Sequence, residues 1–223
     1  KPNLFSHVEH LIIGGDALDV HRVREVLEAG KPKHLINGYG PTENACISSF
    51  HEITALDAQA TSIPLGISVS NNHCYIVDTQ YKLVPIGVAG ELCVSGPGLA
   101  KGYLNKPEQT ADVFIESPFE GSLSKTLYRT GDICRWREDG TIEMLGRIDD
   151  QVKLRGFRIE LGEIQHQLGA LDKVNDCCVV VQQNENGQKY LAAYVVLSQN
   201  TNDNTELLQK LRADLHAQLP HYM

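Results

Sequence analysis

Residues 146–160 read Gly146-Arg147-Ile148-Asp149-Asp150-Gln151-Val152-Lys153-Leu154-Arg155-Gly156-Phe157-Arg158-Ile159-Glu160, and this stretch joins two differently patterned parts of the chain. Val152 and Leu154 alternate with charged residues, which predicts a half-buried strand. The apolar phase then shifts by one residue at Gly156, which indicates a bulge or a strand break. Residues 147–151 are polar apart from Ile148, so we expect a joint between two domains there.

The first part of the chain, residues 1–62, has the pattern of a parallel βαβ unit. An apolar strand is predicted at residues 8–13 and another at 34–36. Asp19 is placed to cap the helix between them, and Gly30 is placed to end it. Glycine-containing loops follow both strands, at the edge where ligands bind in open parallel sheets.

Residues 63–148 change to short strands separated by turn residues. Strands are predicted at residues 73–78, 83–84, 91–95, 133–137 and 141–145. The last two flank Asp139-Gly140, which is typical of a hairpin turn. A helix is predicted at residues 107–114, with proline in its first turn. This pattern favours a small barrel-like or antiparallel β subdomain.

Residues 149–223 follow the order strand, helix, strand, strand, helix, which predicts a compact α+β module. The two later strands are predicted to form a hairpin across residues 184–187, and Thr205 to cap the last helix. We therefore expect an α/β protein in which a βαβ unit and a β-rich subdomain precede a small α+β domain.

The charge and the cysteines restrict the compartment and the partners. The formal net charge is −8, from 20 Lys and Arg against 28 Asp and Glu. This charge argues against nucleic acid and anionic membranes as partners, and no apolar run is long enough to span a bilayer. None of the cysteines forms a Cys-x-x-Cys pair, so reduced thiols and a cytoplasmic location are expected. The six are Cys46, Cys74, Cys93, Cys134, Cys177 and Cys178.

The run Asn37-Gly38-Tyr39-Gly40-Pro41-Thr42-Glu43 carries the most specific chemical signal. Glycines beside Tyr39 let the backbone approach a flat ligand on which the ring can stack. Thr42 offers a hydroxyl to a phosphate oxygen. Glu43 offers a carboxylate to Mg²⁺, which needs only one or two protein oxygens beside phosphate. The alternative is a tight Gly-Pro turn after a buried strand.

Two further segments add candidate ligands for a nucleotide. Asp132 ends the run Tyr128-Arg129-Thr130-Gly131-Asp132, and a carboxylate on a glycine turn can accept hydrogen bonds from both ribose hydroxyls. Arg147 supplies a permanent forked cation for ribose or phosphate oxygens. The glycine-rich segment 91–103 favours a structural role over a binding role.

Together these motifs resemble those of the adenylate-forming enzymes, in particular the adenylation domains of nonribosomal peptide synthetases. The resemblance covers nearly the whole chain. It implies an ATP- and Mg²⁺-dependent ligase that activates an amino acid as an aminoacyl-adenylate. It also implies transfer of the aminoacyl group to the phosphopantetheine thiol of a peptidyl carrier protein. Residues 149–223 would be the small lid domain of such an enzyme.

The resemblance also assigns roles to individual residues. Asn37 and Tyr39 would bind adenine, together with the backbone at Gly15, where Asp16 replaces the commoner Glu. Asp149 would be the hinge about which the lid rotates between the two half-reactions. Gly156 and Phe157 would line the pantetheine tunnel. Thr42, Glu43, Asp132 and Arg147 keep the phosphate, metal and ribose roles given above.

The same resemblance locates the substrate pocket. Its lining would be Ile12, Gly14, Gly38, Cys46 and Ile47. Two glycines leave room, and none of the five residues can pair a charged side chain, whose unpaired burial would be costly. A neutral, mainly hydrophobic amino acid is therefore expected as the substrate.

Some elements of the family are absent from this sequence. It holds no Gly/Ser/Thr-rich, Lys-containing phosphate loop, which family members carry in an earlier core segment. Residues 219–223 resemble the motif that precedes the family's final lysine-bearing segment. We therefore expect the later part of a domain with an incomplete lid, a missing N-terminal core segment as its partner, and little or no activity alone. An acyl- or aryl-CoA synthetase and a degenerate docking domain remain the alternatives.

Overall fold

The computed structural model describes residues 1–185, 188–198 and 204–223, without the side chains of residues 204–206. Two compact units are present, Lys1–Ile148 and Asp149–Met223. The first unit contains both the βαβ segment and the β-rich segment, and the division between them at residues 62 and 63 stays a prediction. No helix among the described residues combines the length and the apolar character that a membrane span requires.

The first sheet of unit one contains the predicted βαβ unit. Strands β1 and β2 are parallel and place Gly14 opposite Gly38. The Asp19 side chain caps α1 as predicted, because it accepts hydrogen bonds from the backbone N–H of His21 and Arg22 at 2.8 and 3.1 Å. Two short antiparallel strands that were not predicted extend the sheet. The elements are β1 (His10–Gly14), α1 (Val20–Gly30), β2 (His34–Tyr39), β3 (Ser49–Glu52) and β4 (Ile67–Ser68).

The two faces of this sheet have different surroundings. One face packs on α1 through a cluster formed by Val23, Leu35, Ile53 and Ile63. On the strand register, Gly14, Gly38 and Ile12 lie on the opposite face, where Ile12 is 55% exposed. The predicted substrate-pocket residues of β1 and β2 therefore share a face that is free of the helix.

The second sheet of unit one has five antiparallel strands, in the order β5-β6-β8-β7, with β9 paired to β8. Strand β8 begins at Thr126, seven residues before the predicted start at 133. The predicted strand at 83–84 is absent as a named strand, and Leu83 instead makes an isolated bridge with Val77. The elements are β5 (His73–Val77), β6 (Gly90–Ser95), α2 (Pro107–Val113), β7 (Phe114–Glu116), β8 (Thr126–Trp136) and β9 (Ile142–Arg147).

A bulge interrupts β8 where the Thr-Gly-Asp sequence occurs. Glu91 of β6 lies opposite Ile133, but Cys93 lies opposite Arg129. Three residues of β8, 130–132, therefore face the single residue Leu92. Bulges of this kind redirect side chains at the edges of sites. The hairpin that joins β8 to β9 follows the prediction, with Gly140 in the turn at φ 78°.

Unit two follows the predicted order from its first helix onward, but two strands precede that helix where one was predicted. Its strands form two antiparallel pairs, β10-β11 and β12-β13. Arg155 and Gly156 both have left-handed φ angles, 54° and 82°, and Leu154 lies opposite Phe157. The phase shift at Gly156 is thus a strand break with a two-residue turn, not a bulge. The elements are β10 (Gln151–Leu154), β11 (Phe157–Glu160), α3 (Leu161–Gly169), β12 (Val174–Gln183), β13 (Lys189–Leu197) and α4 (Asn204–Gln218).

The core of unit two lies between α3 and the strands. It includes Ile159, Ile164, Leu168 and Val179. The predicted turn between β12 and β13 falls in part on residues 186 and 187, which lie outside the described residues. The predicted Thr205 cap depends on a side chain that is also outside them.

Candidate functional site

The carboxylate of Asp132 is the centre of a polar cluster in unit one. Asp132 is only 3% exposed. The Tyr39 hydroxyl donates a hydrogen bond to its Oδ2 atom, and Arg147 Nη1 donates one to its Oδ1 atom at 2.5 Å. Tyr39, Asp132 and Arg147 come from three separate sequence motifs, and the fold brings them together.

The bulge in β8 explains how Asp132 is held. Thr130 Oγ1 donates a hydrogen bond to the Leu92 carbonyl at 2.6 Å and accepts one from the Asp132 backbone N–H at 3.0 Å. Arg147 lies opposite Asp132 on β9, and its Nη1 atom also donates to the Thr130 carbonyl at 3.2 Å. Thr130 was not predicted as a site residue, although it lies within the motif that ends at Asp132.

Glu91 supports the same bulge from β6. Its Oε1 atom accepts a hydrogen bond from the Gly131 backbone N–H at 3.2 Å. Its Oε2 atom accepts two from Arg129, at 3.0 and 2.9 Å. Gly131 has a left-handed φ of 73°, and Glu91 holds this turn in place. Sequence reasoning did not single out Glu91 because nothing local links it to residue 131.

The side chains of Tyr39 and Asn37 both have partners inside the protein. The Tyr39 ring packs in the core with Leu65, Leu92 and Cys134. Burial, and after it the neighbouring Asp132 charge, raises the pKa of Tyr39 well above its ordinary value, so the hydroxyl stays a donor. The Asn37 side chain donates to the Pro64 carbonyl at 2.7 Å. Their predicted contacts with adenine stay predictions.

The loop after β2 presents Thr42 and Glu43. Thr42 is exposed, whereas Glu43 is buried. Glu43 Oε1 accepts a hydrogen bond from the Tyr103 hydroxyl at 2.5 Å. The backbone carbonyl of Glu43 accepts another from the Ala100 N–H at 2.8 Å. The glycine-rich segment 91–103 thus supports this loop, in line with the structural role favoured by its sequence, but Tyr103 was not predicted.

Close approaches to Gly38 bring four of the predicted pocket residues together. A Cβ atom on Gly14 would lie 2.2 Å from the Gly38 carbonyl oxygen, so no side chain fits there. A Cβ atom on Gly38 would lie 3.0 Å from Ile12 Cγ2 and 3.5 Å from Ile47 Cδ1. Ile12, Gly38 and Ile47 are therefore neighbours. The fifth residue, Cys46, is exposed.

Comparisons with known proteins identify the family of the chain. The family model for the AMP-binding enzymes matches residues 1–104, and the model for the C-terminal domain of these enzymes matches residues 163–223. The chain belongs to the AMP-binding enzymes.

The curated relatives are peptide synthetases. Tyrocidine synthase 3 of Brevibacillus parabrevis is 46% identical over the whole chain, and surfactin synthase subunit 2 of Bacillus subtilis is 46% identical over 99% of it. The chain spans only 3% and 6% of these two relatives. The identity therefore concerns one segment of much longer proteins.

Solved structures show the same fold. The chain superposes on PA1221, described as a nonribosomal peptide synthetase protein with adenylation and carrier domains, with a TM-score of 0.81 and 33% identity, over 91% of this chain and 35% of that one. For IdnL1 the TM-score is 0.85 and the identity 25%, over 99% of this chain and 44% of the other. The chain is thus part of an adenylation domain of the peptide synthetase type.

The adenylation-domain residues in unit two have defined local surroundings. Asp149 Oδ1 accepts a hydrogen bond from the Gln151 N–H at 3.2 Å. Phe157 is 41% exposed, and its ring stacks on Tyr222 with the ring centroids 4.4 Å apart. A Cβ atom on Gly156 would meet nothing within 4 Å. The hinge and tunnel roles of these residues stay predictions.

The residues present are chemically suited to ATP and Mg²⁺. Each oxygen of the Asp132 carboxylate has two lone pairs, so it can accept a ribose hydroxyl in addition to its present partner. Glu43 supplies a carboxylate and its sequence neighbour Thr42 an exposed hydroxyl, and oxygen ligands are those that Mg²⁺ prefers. The backbone at Gly15 is exposed, with φ at 95° and open space around it, so a flat ring can approach closely.

Proposed function

We propose that the domain containing this chain activates an amino acid with ATP and loads it onto a carrier protein. In the first half-reaction the substrate carboxylate attacks the α-phosphorus of ATP, and pyrophosphate leaves. In the second, the pantetheine thiol attacks the acyl carbon, and AMP leaves. The observation that carries the proposal is the buried cluster of Tyr39, Asp132 and Arg147 in a chain that belongs to the AMP-binding enzymes.

The roles of the residues follow from their chemistry. Asp132 would bind the ribose hydroxyls, and Arg147 would orient it while adding positive charge near the phosphates. Thr42 would donate to a phosphate oxygen, and Glu43 would ligate Mg²⁺. When bound, Mg²⁺ neutralises charge that develops on the phosphate oxygens.

The remaining predicted site residues are assigned to adenine binding and to the second half-reaction. We assign the adenine contacts to Asn37, Tyr39 and the Gly15 backbone. Asp149 would be the hinge of the lid, and it is the first residue of the second compact unit. Gly156 and Phe157 would line the pantetheine tunnel, and the exposure of Phe157 is compatible with that role.

We assign the substrate to the neutral, mainly hydrophobic amino acids. The apolar side chains of Ile12 and Ile47 both lie close to Gly38, which supports this choice. Cys46 offers a direct test, because its exposed thiol can be alkylated. In the complete domain, a bound substrate and ATP should slow alkylation of Cys46 relative to the exposed Cys178. Equal protection of both thiols would speak against a pocket at Cys46.

The proposal is tested by amino-acid-dependent exchange of pyrophosphate into ATP by the complete adenylation domain. The wild-type domain should catalyse exchange with a subset of neutral amino acids. Asp132→Asn keeps the shape of the side chain but removes its charge. This change should lower kcat/KM for ATP by about 100-fold, which corresponds to the loss of a hydrogen bond to a charged group. Asp172→Asn, at an exposed carboxylate in unit two, is the matched control and should leave exchange unchanged. Absence of exchange with every amino acid would refute the proposal.

The isolated chain is a separate case. Its sequence contains no Lys-bearing phosphate loop, and we expect no measurable exchange from these 223 residues alone. Exchange by the isolated chain would contradict that expectation without affecting the assignment of the complete domain.

A further inference from the structure

Tyr103 makes a direct contact with the carboxylate to which we assign the metal. Its hydroxyl lies 2.5 Å from Glu43 Oε1, which is a short, charge-assisted hydrogen bond. Glu43 is only 7% exposed, so the bond forms away from bulk water. A hydrogen bond in such surroundings fixes the orientation of a carboxylate more firmly than one in water does.

The Tyr103 ring is itself held in place. Its edge packs on Phe114, with the ring centroids 5.8 Å apart and an interplanar angle of 71°. The Tyr103 backbone N–H donates to Thr110 Oγ1 at 2.9 Å. These contacts fix the direction from which its hydroxyl donates to Glu43.

We infer that Tyr103 is a positioning residue for Glu43: its hydroxyl holds the carboxylate in the orientation that binds Mg²⁺ beside ATP. This inference rests on the proposed function, and it adds a residue that the motifs did not single out. Residues that orient a metal ligand without touching the metal commonly change metal affinity when they are altered.

The loop does not depend on this hydroxyl for its fold. The Ala100 N–H donates to the Glu43 carbonyl at 2.8 Å, and Asn44 forms a bridge with Leu99. The Asn44 side chain adds hydrogen bonds to Ser48 and Asn72, at 2.8 and 2.7 Å. Removing one hydroxyl should therefore leave the loop in place and remove a direct hydrogen bond that orients the Glu43 carboxylate.

The test uses Tyr103→Phe in the complete adenylation domain. The Mg²⁺ concentration for half-maximal pyrophosphate exchange should rise about tenfold, within the range for residues that orient metal ligands. The KM for the amino acid should stay within twofold. Mn²⁺ binding in the presence of ATP, measured by electron paramagnetic resonance, should weaken by a similar factor.

Tyr75→Phe is the matched control, because it removes a hydroxyl that bonds to His73 on another part of the same unit. It should change neither the Mg²⁺ dependence nor the Mn²⁺ affinity. The inference is overturned if Tyr103→Phe retains the wild-type metal dependence in both measurements, or if it lowers exchange equally at all Mg²⁺ concentrations. Failure of the wild-type domain to exchange would instead refute the proposed function.

Discussion

At the scale of single residues, the Asp132 carboxylate depends on neighbours from two other strands. Tyr39 on β2 and Arg147 on β9 each bond to one of its oxygens. Because Asp132 is buried, water replaces a partner that is removed only poorly. Each partner therefore contributes to stability as well as to the orientation of the carboxylate.

This dependence predicts the effect of Tyr39→Phe. The change should lower the free energy of unfolding by about 1.5–3 kcal/mol, the usual contribution of a hydrogen bond to a charged group. Urea denaturation of the domain measures it. Tyr75→Phe should lower the free energy of unfolding by less, because the bond from Tyr75 to His73 is only partly buried and water can replace it. An equal decrease in the free energy of unfolding for both variants would contradict a larger contribution from the bond between Tyr39 and Asp132.

At the scale of elements, the bulge in β8 depends on Glu91. Glu91→Ala would leave the Gly131 N–H without its carboxylate partner, and the free energy of unfolding should fall by about 2 kcal/mol. Glu91→Gln retains an oxygen for that N–H and should lose less. The KM for ATP should rise more in the alanine variant, because Asp132 follows Gly131 directly. Identical behaviour of the two variants would contradict a role for the Gly131 bond.

The turn between β10 and β11 allows a comparison of two glycines. Neither Gly156 nor Gly162 would meet an atom within 4 Å of an added Cβ, but only Gly156 has a left-handed φ. Gly156→Ala should therefore lower the free energy of unfolding by about 1–2 kcal/mol. Gly162→Ala, near the start of α3, should be neutral or stabilise by up to about 1 kcal/mol. Thermal denaturation distinguishes the two, and a reversed order would contradict the assigned turn.

The elements that could be predicted from sequence are those with local signals. The βαβ unit has apolar strands and a capping Asp19, and both occur as predicted. Strand β3 was missed because Ser49–Glu52 contains one apolar residue. The start of β8 was missed because polar residues 129–132 interrupt its pattern. Their polar groups are satisfied inside the protein by Glu91 and Leu92.

The same limit applies to the candidate site. Asp132 and Arg147 were predicted because each lies in a motif with clear chemistry. Tyr103 was not, since it is 60 residues from Glu43 and nothing in the local pattern links them. Thr130 and Glu91 support Asp132 through hydrogen bonds to the backbone of the bulge. The periodic pattern of apolar residues does not indicate where such a bulge occurs.

At the scale of the whole molecule, the six cysteines should differ in reactivity. Burial raises the pKa of Cys74 to about 11 and also raises the pKa values of Cys93 and Cys134, so few thiolates form at neutral pH. Cys46 and Cys178 are exposed. Iodoacetamide at pH 7.5, followed by peptide mass spectrometry, should modify these two first. In denaturant all six should react, and rapid modification of native Cys93 would contradict the burial.

If Cys46 lines the substrate pocket as we propose, the backbone at Ala45 and Cys46 has a consequence for redesign of substrate choice. Both residues adopt left-handed φ angles, 48° and 77°, which most side chains tolerate poorly. In a library that varies position 46, a substituted residue would first have to adopt this left-handed backbone conformation. Only the residues that adopt it could then be selected for their fit to a new substrate. Glycine and asparagine should be enriched among the survivors and β-branched residues depleted, whichever substrate is used for selection.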